Sequence, residues 1–238
     1  ITVGPDDSVY CTSNGDHVIR KFTTDGKLLA TLGTVGIPSD TGYDGSNLET
    51  VVRPGGPFNT CTNLAIAPNG ELYVSDGYGN CRVHRFTANG ELIQSWGMPG
   101  TGPGEFNLPH GVWVDRESRV LIADRENERI QVFSPDGEFM EEWTDVQRPC
   151  ALVIDPAGFV YVAELRNEPG WRSYTRGTIA EARPGRVSVY DLSGKVQARW
   201  GGEDMAADGN FVAPHGISVD SRGNVYVAEV TQIGRAHV

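Results

Sequence analysis

The sequence predicts an all-β chain of repeated four-stranded antiparallel units, and three observations carry that reading. The first is one short β-rich run written five times: Val9-Tyr10-Cys11, Leu72-Tyr73-Val74-Ser75-Asp76, Val120-Leu121-Ile122-Ala123-Asp124, Val160-Tyr161-Val162-Ala163-Glu164 and Val225-Tyr226-Val227-Ala228-Glu229. The second is glycine, at 30 of 238 residues against a roughly 7% average, recurring in turn pairs between such runs. The third is the spacing, which matches the roughly 40–50-residue period of a β-propeller blade.

Each unit opens with a first run: Ile1-Thr2-Val3, Leu64-Ala65-Ile66, Val112-Trp113-Val114, Leu152-Val153-Ile154 and Ile217-Ser218-Val219. Turns such as Asn69-Gly70, Ala157-Gly158 and Arg222-Gly223 lead into the second run, which reads as a half-buried strand. The third runs, Arg82 to Phe86, Arg129 to Phe133 and Arg186 to Tyr190, alternate as a strand with one wet face should. Asp25-Gly26, Asn89-Gly90, Asp136-Gly137 and Ser193-Gly194 then turn the chain into fourth runs that end near Trp96, Trp143 and Trp200. The count is four full blades and the first half of a fifth, with residues 1–232 as one propeller, a fragment incomplete at both ends. Ile233-Gly234-Arg235-Ala236-His237-Val238 reads like a translated sequencing adapter, and residues 233–238, His237 included, are given no role.

Lys and Arg number 20 against 31 Asp and Glu, a net charge of −11 that repels phosphate backbones and sets nucleic-acid binding aside. At 39% hydrophobic and 21% charged residues the chain has material for a core. No apolar run approaches the roughly 18 residues of a membrane helix. No targeting segment opens the chain at Ile1, so location is not readable there. The sequence holds no Ser-His-Asp set, P-loop or Rossmann fingerprint, which leaves covalent hydrolase and nucleotide chemistry without support.

In an antiparallel blade the start of the first strand, the end of the second and the end of the fourth share one face. The slot that opens the first strand holds Thr62, His110, Cys150 and His215 in successive blades. His110 and His215 therefore sit two blades apart at the channel mouth, and the matching slot two blades before His110 falls just upstream of Ile1. Three histidines on alternate blades of a six-bladed ring would form a three-fold set, the geometry of a catalytic zinc with one position open. Pro-His-Gly also reads as a strand-opening turn whose histidine bonds the backbone; recurrence on alternate blades favours the metal.

Just past the second strands, on the same face, lie Tyr78 and Arg125. A tyrosine beside a cation or a metal has its phenolate favoured, which would make it usable as a base near neutral pH; a turn tyrosine packed on its neighbour and an arginine in a rim ion pair is the plainer reading. Asp76, Asp124, Glu164 and Glu229 end the second strands, either capping the turns that follow or lining a calcium channel. The two longest insertions, Thr34 to Pro57 and Leu165 to Gly185, reach the same rim as a lid, a substrate wall or plain solvated loops. Trp171, Arg172, Tyr174 and Arg176 are the side chains there that would meet a small-molecule or peptide substrate. Of the four cysteines, Cys61 and Cys81 share an edge of one blade and are placed to bridge, which would imply an oxidising, extracytoplasmic setting. Cys150 in its slot reads as a buried thiol or a spare metal ligand, and Cys11 is unassigned.

The Asn-Xaa-Arg-Ile/Val-Xaa-Xaa-Phe pattern of Asn80 to Phe86 and Asn127 to Phe133 resembles the NHL-repeat propellers across the whole chain. More narrowly, Val74 to Arg82, Phe106 to Gly111, Ala123 to Gln131 and Pro214 to Ile217 resemble the peptidyl-α-hydroxyglycine α-amidating lyases, in order and with similar spacing. That resemblance implies a six-bladed propeller with zinc on three histidines. His110 and His215 would match two of them, Tyr78 the base, and Arg125 the arginine close to it. It implies a reaction that splits a carbinolamide C–N bond into a peptide amide and glyoxylate. The family's third histidine and a further substrate-binding arginine would lie upstream of Ile1. Gly216 stands where the family has an aspartate that helps bind calcium, so no Ca2+ is carried over. The family's Tyr-Cys step, which joins a disulfide, is displaced here: Gly79 follows Tyr78, and Cys81 comes later. Beside the lyase stand two other readings, a non-catalytic NHL binding module and a calcium-dependent lactonase-like hydrolase using Glu164 and Glu229.

Overall fold

The computed structural model describes residues 1–230, in which four four-stranded antiparallel sheets are followed by a two-stranded one, with two small two-stranded pairs, Met98–Pro99 with Glu105–Phe106 and Arg172–Ser173 with Gly177–Thr178, in the connections. The expectations for residues 233–238 and for His237 lie outside the described residues. Blade 1 runs Thr2–Val3, Val9–Ser13, Val18–Phe22 and Leu28–Leu32, and blade 2 runs Asn63–Ile66, Leu72–Asp76, Arg82–Phe86 and Leu92–Trp96. Blade 3 runs Pro109–Val114, Val120–Asp124, Arg129–Phe133 and Phe139–Trp143. Blade 4 runs Pro149–Ile154, Val160–Glu164, Arg186–Tyr190 and Val196–Trp200, and half-blade 5 runs Pro214–Val219 and Val225–Glu229. Strand order within each full blade follows the chain, as the sequence predicts. No helix among the described residues is long and apolar enough to cross a membrane.

Two burial expectations are corrected. The second strands of blades 2 and 3 are buried at every position rather than half-buried, because each blade is sandwiched between two neighbours. Leu72 and Val74 pack toward blade 1 with Tyr10, Ile19 and Phe86, while Tyr73 on the opposite face packs toward blade 3 with Val112, Ile122 and Phe133. The period-2 alternation therefore separates two cores rather than a core and a wet face. The third strand of blade 3 likewise has no wet face: Arg129 and Gln131 are buried with the apolar residues. Solvent meets the fourth strands instead, where Leu92, Ile93 and Met140 are exposed.

The carboxylates that end the second strands explain how charge is tolerated inside the blades. Asp124, fully buried, accepts from the Asn107 backbone N–H at 2.8 Å, Asn127 Nδ2 at 2.7 Å, Arg129 Nε at 2.9 Å and Gln131 Nε2 at 3.2 Å. Asp76 accepts from Asn59 N and Asn80 Nδ2, Glu164 from Gln147 N and Arg186 Nε, and Glu229 from Val212 N and Ala213 N. Each carboxylate thus staples the segment leading into its own blade's first strand, with Asp76, Asp124 and Glu164 also holding a side chain of the third strand. Their oxygens are occupied within separate blades, which describes caps and not the lining of a calcium channel. Burial pushes Asp124 up to about 6 even with the Arg129 guanidinium pulling it back, so it is ionised at neutral pH. Asp124→Ala would leave Arg129, whose side chain is only 5% exposed, with Glu142 as its one carboxylate partner, and would take the shared acceptor from Asn107 N, Asn127 and Gln131. The expected loss is about 1–3 kcal/mol, read as a fall in the urea midpoint.

The cysteine bridge is also corrected. Cys61 points into the blade 1–2 core, its Sγ 3.7 Å from the Val18 carbonyl, and Cys81 points into the blade 2–3 core. They sit on opposite faces of one sheet, both are free, and burial pushes each thiol up to about 12. With no bridge, the argument for an oxidising compartment loses its support.

Candidate active site

The slot residues are placed by a recurrent backbone device. In blades 3 and 4 and half-blade 5 the register between first and second strands shifts between Pro109 and Gly111, Pro149 and Ala151, and Pro214 and Gly216. The residue in each irregularity is His110, Cys150 or His215, and an extra residue of this kind re-aims a side chain out of the sheet's alternation. Two residues before the slot, Leu108 (φ 65°) and Arg148 (φ 33°) hold left-handed backbone that favours glycine, a local strain typical of functional mouths. Blade 2 breaks the pattern: Thr62 Oγ1 lies on the Ser75 and Pro109 carbonyls at 3.0 and 2.9 Å and faces no shared centre.

His110 and His215 converge with ring centroids 4.5 Å apart, edge to face. The donor atoms of His110, Cys150 and His215 all lie within 4.8 Å of one another. His110 Nδ1 is 2.7 Å from the Cys150 carbonyl, which can only accept, so Nδ1 carries the proton and Nε2 keeps its lone pair. Nε2 faces the Tyr78 hydroxyl at 2.9 Å. The Arg125 guanidinium lies 5.5 Å from the centre of the Tyr78 ring. Two glycines let the backbones close to these distances. A Cβ on Gly77 would collide with the Pro109 carbonyl oxygen, and one on Gly111 would come within 2.7 Å of the Cys150 oxygen that holds His110. The structure therefore brings Tyr78, His110, Arg125 and His215 together from blades 2 and 3 and half-blade 5, with Cys150 between the histidines.

The electrostatics suit a metal. Burial first, then Arg125 and His215, hold His110 well below the usual histidine range, and burial with Arg125 lowers His215. Both imidazoles are neutral near pH 7, and the His110 Nε2 lone pair, which the Tyr78 hydroxyl meets in this structure, is the one a metal would take. Burial pushes the Cys150 thiol up to about 11, so it is protonated unless a cation displaces the proton. Two imidazoles and a thiol are a donor set that fits zinc. Burial opposes the charge on Arg125, but Glu126 at 2.7 Å outweighs it and holds the guanidinium above its ordinary range. A histidine buried neutral contributes stability above its unfolded pKa near 6.5 and loses it as pH falls through and below that value. In the metal-free protein that loss is expected at up to about 1.4 kcal/mol per pH unit for His110. Urea unfolding between pH 7 and pH 5 should show a flatter dependence in His110→Gln.

The sequence assigns Glu126 and Glu128 no role, and the structure gives them one. Glu126 is shared by Arg125 and Arg148, at 2.7 and 2.9 Å. Glu128, its side chain 1% exposed, accepts from Asn167 Nδ2 and Ser173 Oγ at 2.8 Å and forms an ion pair with Arg176, Nε to Oε2 3.0 Å, pinning the Leu165 to Gly185 insertion to blade 3. Arg176 is therefore a tie of that loop, donating also to the Thr144 and Val146 carbonyls, and not a free substrate contact. The two insertions meet through Arg172 Nη1 and Glu49 Oε1 at 3.0 Å. The signal for these acids was available: an Asp-Arg-Glu-Asn-Glu-Arg run has more charge than a tight turn needs.

A family described as a 6-bladed beta-propeller matches residues 58–168. NHL repeat-containing protein 3 of Homo sapiens is 30% identical over 236 residues, 94% of this chain and 60% of the relative. Peptidyl-alpha-hydroxyglycine alpha-amidating lyase 1 of Drosophila melanogaster is 30% identical over 254 residues, 97% of this chain and 42% of the relative. The chain thus spans 60% and 42% of the length of these two curated relatives. Among solved structures, virginiamycin B lyase from Staphylococcus aureus superimposes with a TM-score of 0.61 at 15% identity, over 96% of this chain and 62% of that one, a likeness of fold alone. The repeats, the blades and these matches place the chain among the NHL-repeat β-propellers of the six-bladed kind, with the peptidyl-α-hydroxyglycine α-amidating lyases among its relatives.

Proposed function

We propose that the chain is a zinc-dependent lyase that cleaves the C–N bond of a carbinolamide, an N-acyl-α-hydroxyglycine, into an amide and glyoxylate. The observation that carries the reading is the meeting of His110, His215 and the Tyr78 hydroxyl at one point, with Arg125 behind the phenol. His110 and His215 would hold the zinc, with Cys150 offering a further donor, and when bound the metal supplies a Lewis acid for the substrate hydroxyl. The Cys150 carbonyl orients His110 and fixes its tautomer. Tyr78, as the phenolate, takes the hydroxyl proton, and Arg125 sets positive charge against the ring that carries the negative charge before the transfer. As the C=O bond forms the C–N bond breaks, and the same proton is delivered to the departing amide nitrogen, so no co-reactant is consumed.

Mass spectrometry of the products in 18O-labelled water tests the reading. A lyase yields the primary amide with no solvent oxygen in it, together with glyoxylate. An acid carrying 18O at its carboxyl would show hydrolysis of the acyl bond and overturn the proposal.

A further inference from the structure

Beside the proposed reacting centre lies a second cavity of about 230 Å³ whose walls include Glu126, Glu128, Arg148, Trp171 and Arg172. The volume is below the roughly 300 Å³ at which whole-ligand pockets begin, and suits one side chain. It adjoins the centre through one carboxylate: Glu126 Oε1 receives Arg148 on the cavity side and Arg125, the residue over Tyr78, on the other. Trp171, 42% exposed, lies against Arg148 with the guanidinium 5.1 Å from its ring, forming a flat wall.

The charges in this corner are unequal. Arg125 and Arg148 both pair with Glu126, and Arg176 and Arg183 both face Glu128, so each acid is outnumbered two to one. Both acids already accept several donors from within the protein. Arg172, its side chain 70% exposed, adds a fifth guanidinium, which lies over the Tyr174 ring and has Glu49, itself half exposed, as its one carboxylate partner. The insertion that supplies this wall carries four arginines against two glutamates in a chain of net charge −11. Donors left over for a ligand therefore belong to cations, and an anionic group is the one they can satisfy.

We propose that this cavity is a specificity subsite, and that it takes an acidic side chain, Asp or Glu, from the residue next to the one that reacts. The inference rests on the lyase reading for the identity of the substrate. Binding would exchange the Glu49–Arg172 pair for one between Arg172 and the substrate carboxylate, with the aliphatic stem of the side chain against Trp171.

The test uses two unreactive glycine-extended peptides, N-acetyl-Ala-Glu-Gly and N-acetyl-Ala-Gln-Gly, titrated calorimetrically into the zinc-loaded protein at low salt. The Glu peptide is expected to bind about tenfold more tightly, with the ratio shrinking as salt is raised. Arg172→Ala, at an exposed position outside the blades, should bring the ratio close to one, and Glu49→Gln, which removes the carboxylate partner of Arg172, should widen it. Equal affinities in the unaltered protein, or a preference indifferent to Arg172, would overturn the subsite. The α-hydroxyglycine forms of the same peptides separate the two claims. Turnover of both without preference removes the subsite and keeps the lyase, whereas preferential binding without turnover removes the lyase and keeps an acidic-peptide site.

Discussion

Tyr78→Phe is expected to hold zinc as the unaltered protein does and to lose glyoxylate release by at least about a hundredfold, the low end for removal of a general base. Phenylalanine keeps the ring that meets His110 edge-on at 5.4 Å between centroids and that Arg125 covers, so packing around the centre is preserved. What is lost is the hydroxyl 2.9 Å from His110 Nε2, the only group of Tyr78 able to take a proton. Zinc content and initial rate measured on the same preparation separate the two effects. A variant that turns over at the original rate would remove Tyr78 from the chemistry and leave it a packing residue of the turn.

The second large effect is on the metal itself. His110→Ala and His215→Ala are each expected to weaken zinc binding by more than the 10- to 100-fold that loss of an outer partner typically costs, with turnover falling in step. The two should differ in stability. His110 is buried, and its loss leaves the Cys150 carbonyl and the Tyr78 hydroxyl without a partner, whereas His215 is half-buried and its removal exposes little. Equilibrium dialysis against zinc and urea midpoints of the metal-free proteins read these two quantities independently. Undiminished zinc binding in both variants would show that the convergent imidazoles are a packed pair and not ligands.

The blades were legible because their signals are local. Turn pairs such as Asn89-Gly90 and Asp136-Gly137 mark hairpins, and the repeated second run states the period; all five units fold where the sequence places them. The slot histidines were legible for the same reason, since a Pro-His-Gly in register with a repeat fixes its blade position. Burial was not, because Leu72 and Tyr73 face different neighbours contributed by distant chain segments, and alternation cannot distinguish a second core from solvent. Whether Cys61 and Cys81 bridge was illegible for the same reason: they do share an edge, but the face each occupies depends on which blade packs there. The register shifts around His110, Cys150 and His215 carry no residue signature beyond proline and glycine or alanine, yet they aim all three side chains. Least legible were the contacts of the insertions. The Arg172–Glu49 pair joins positions 123 residues apart, and nothing in either segment announces the other.

The reading of the centre as a zinc lyase is tested most directly by glyoxylate release from a small N-acyl-α-hydroxyglycine as zinc is titrated into the metal-free protein. The expected result is a rate that rises to a plateau at one zinc per chain and disappears when a chelator removes the metal. Zinc bound at one equivalent with no glyoxylate formed, or turnover indifferent to the chelator, would contradict it.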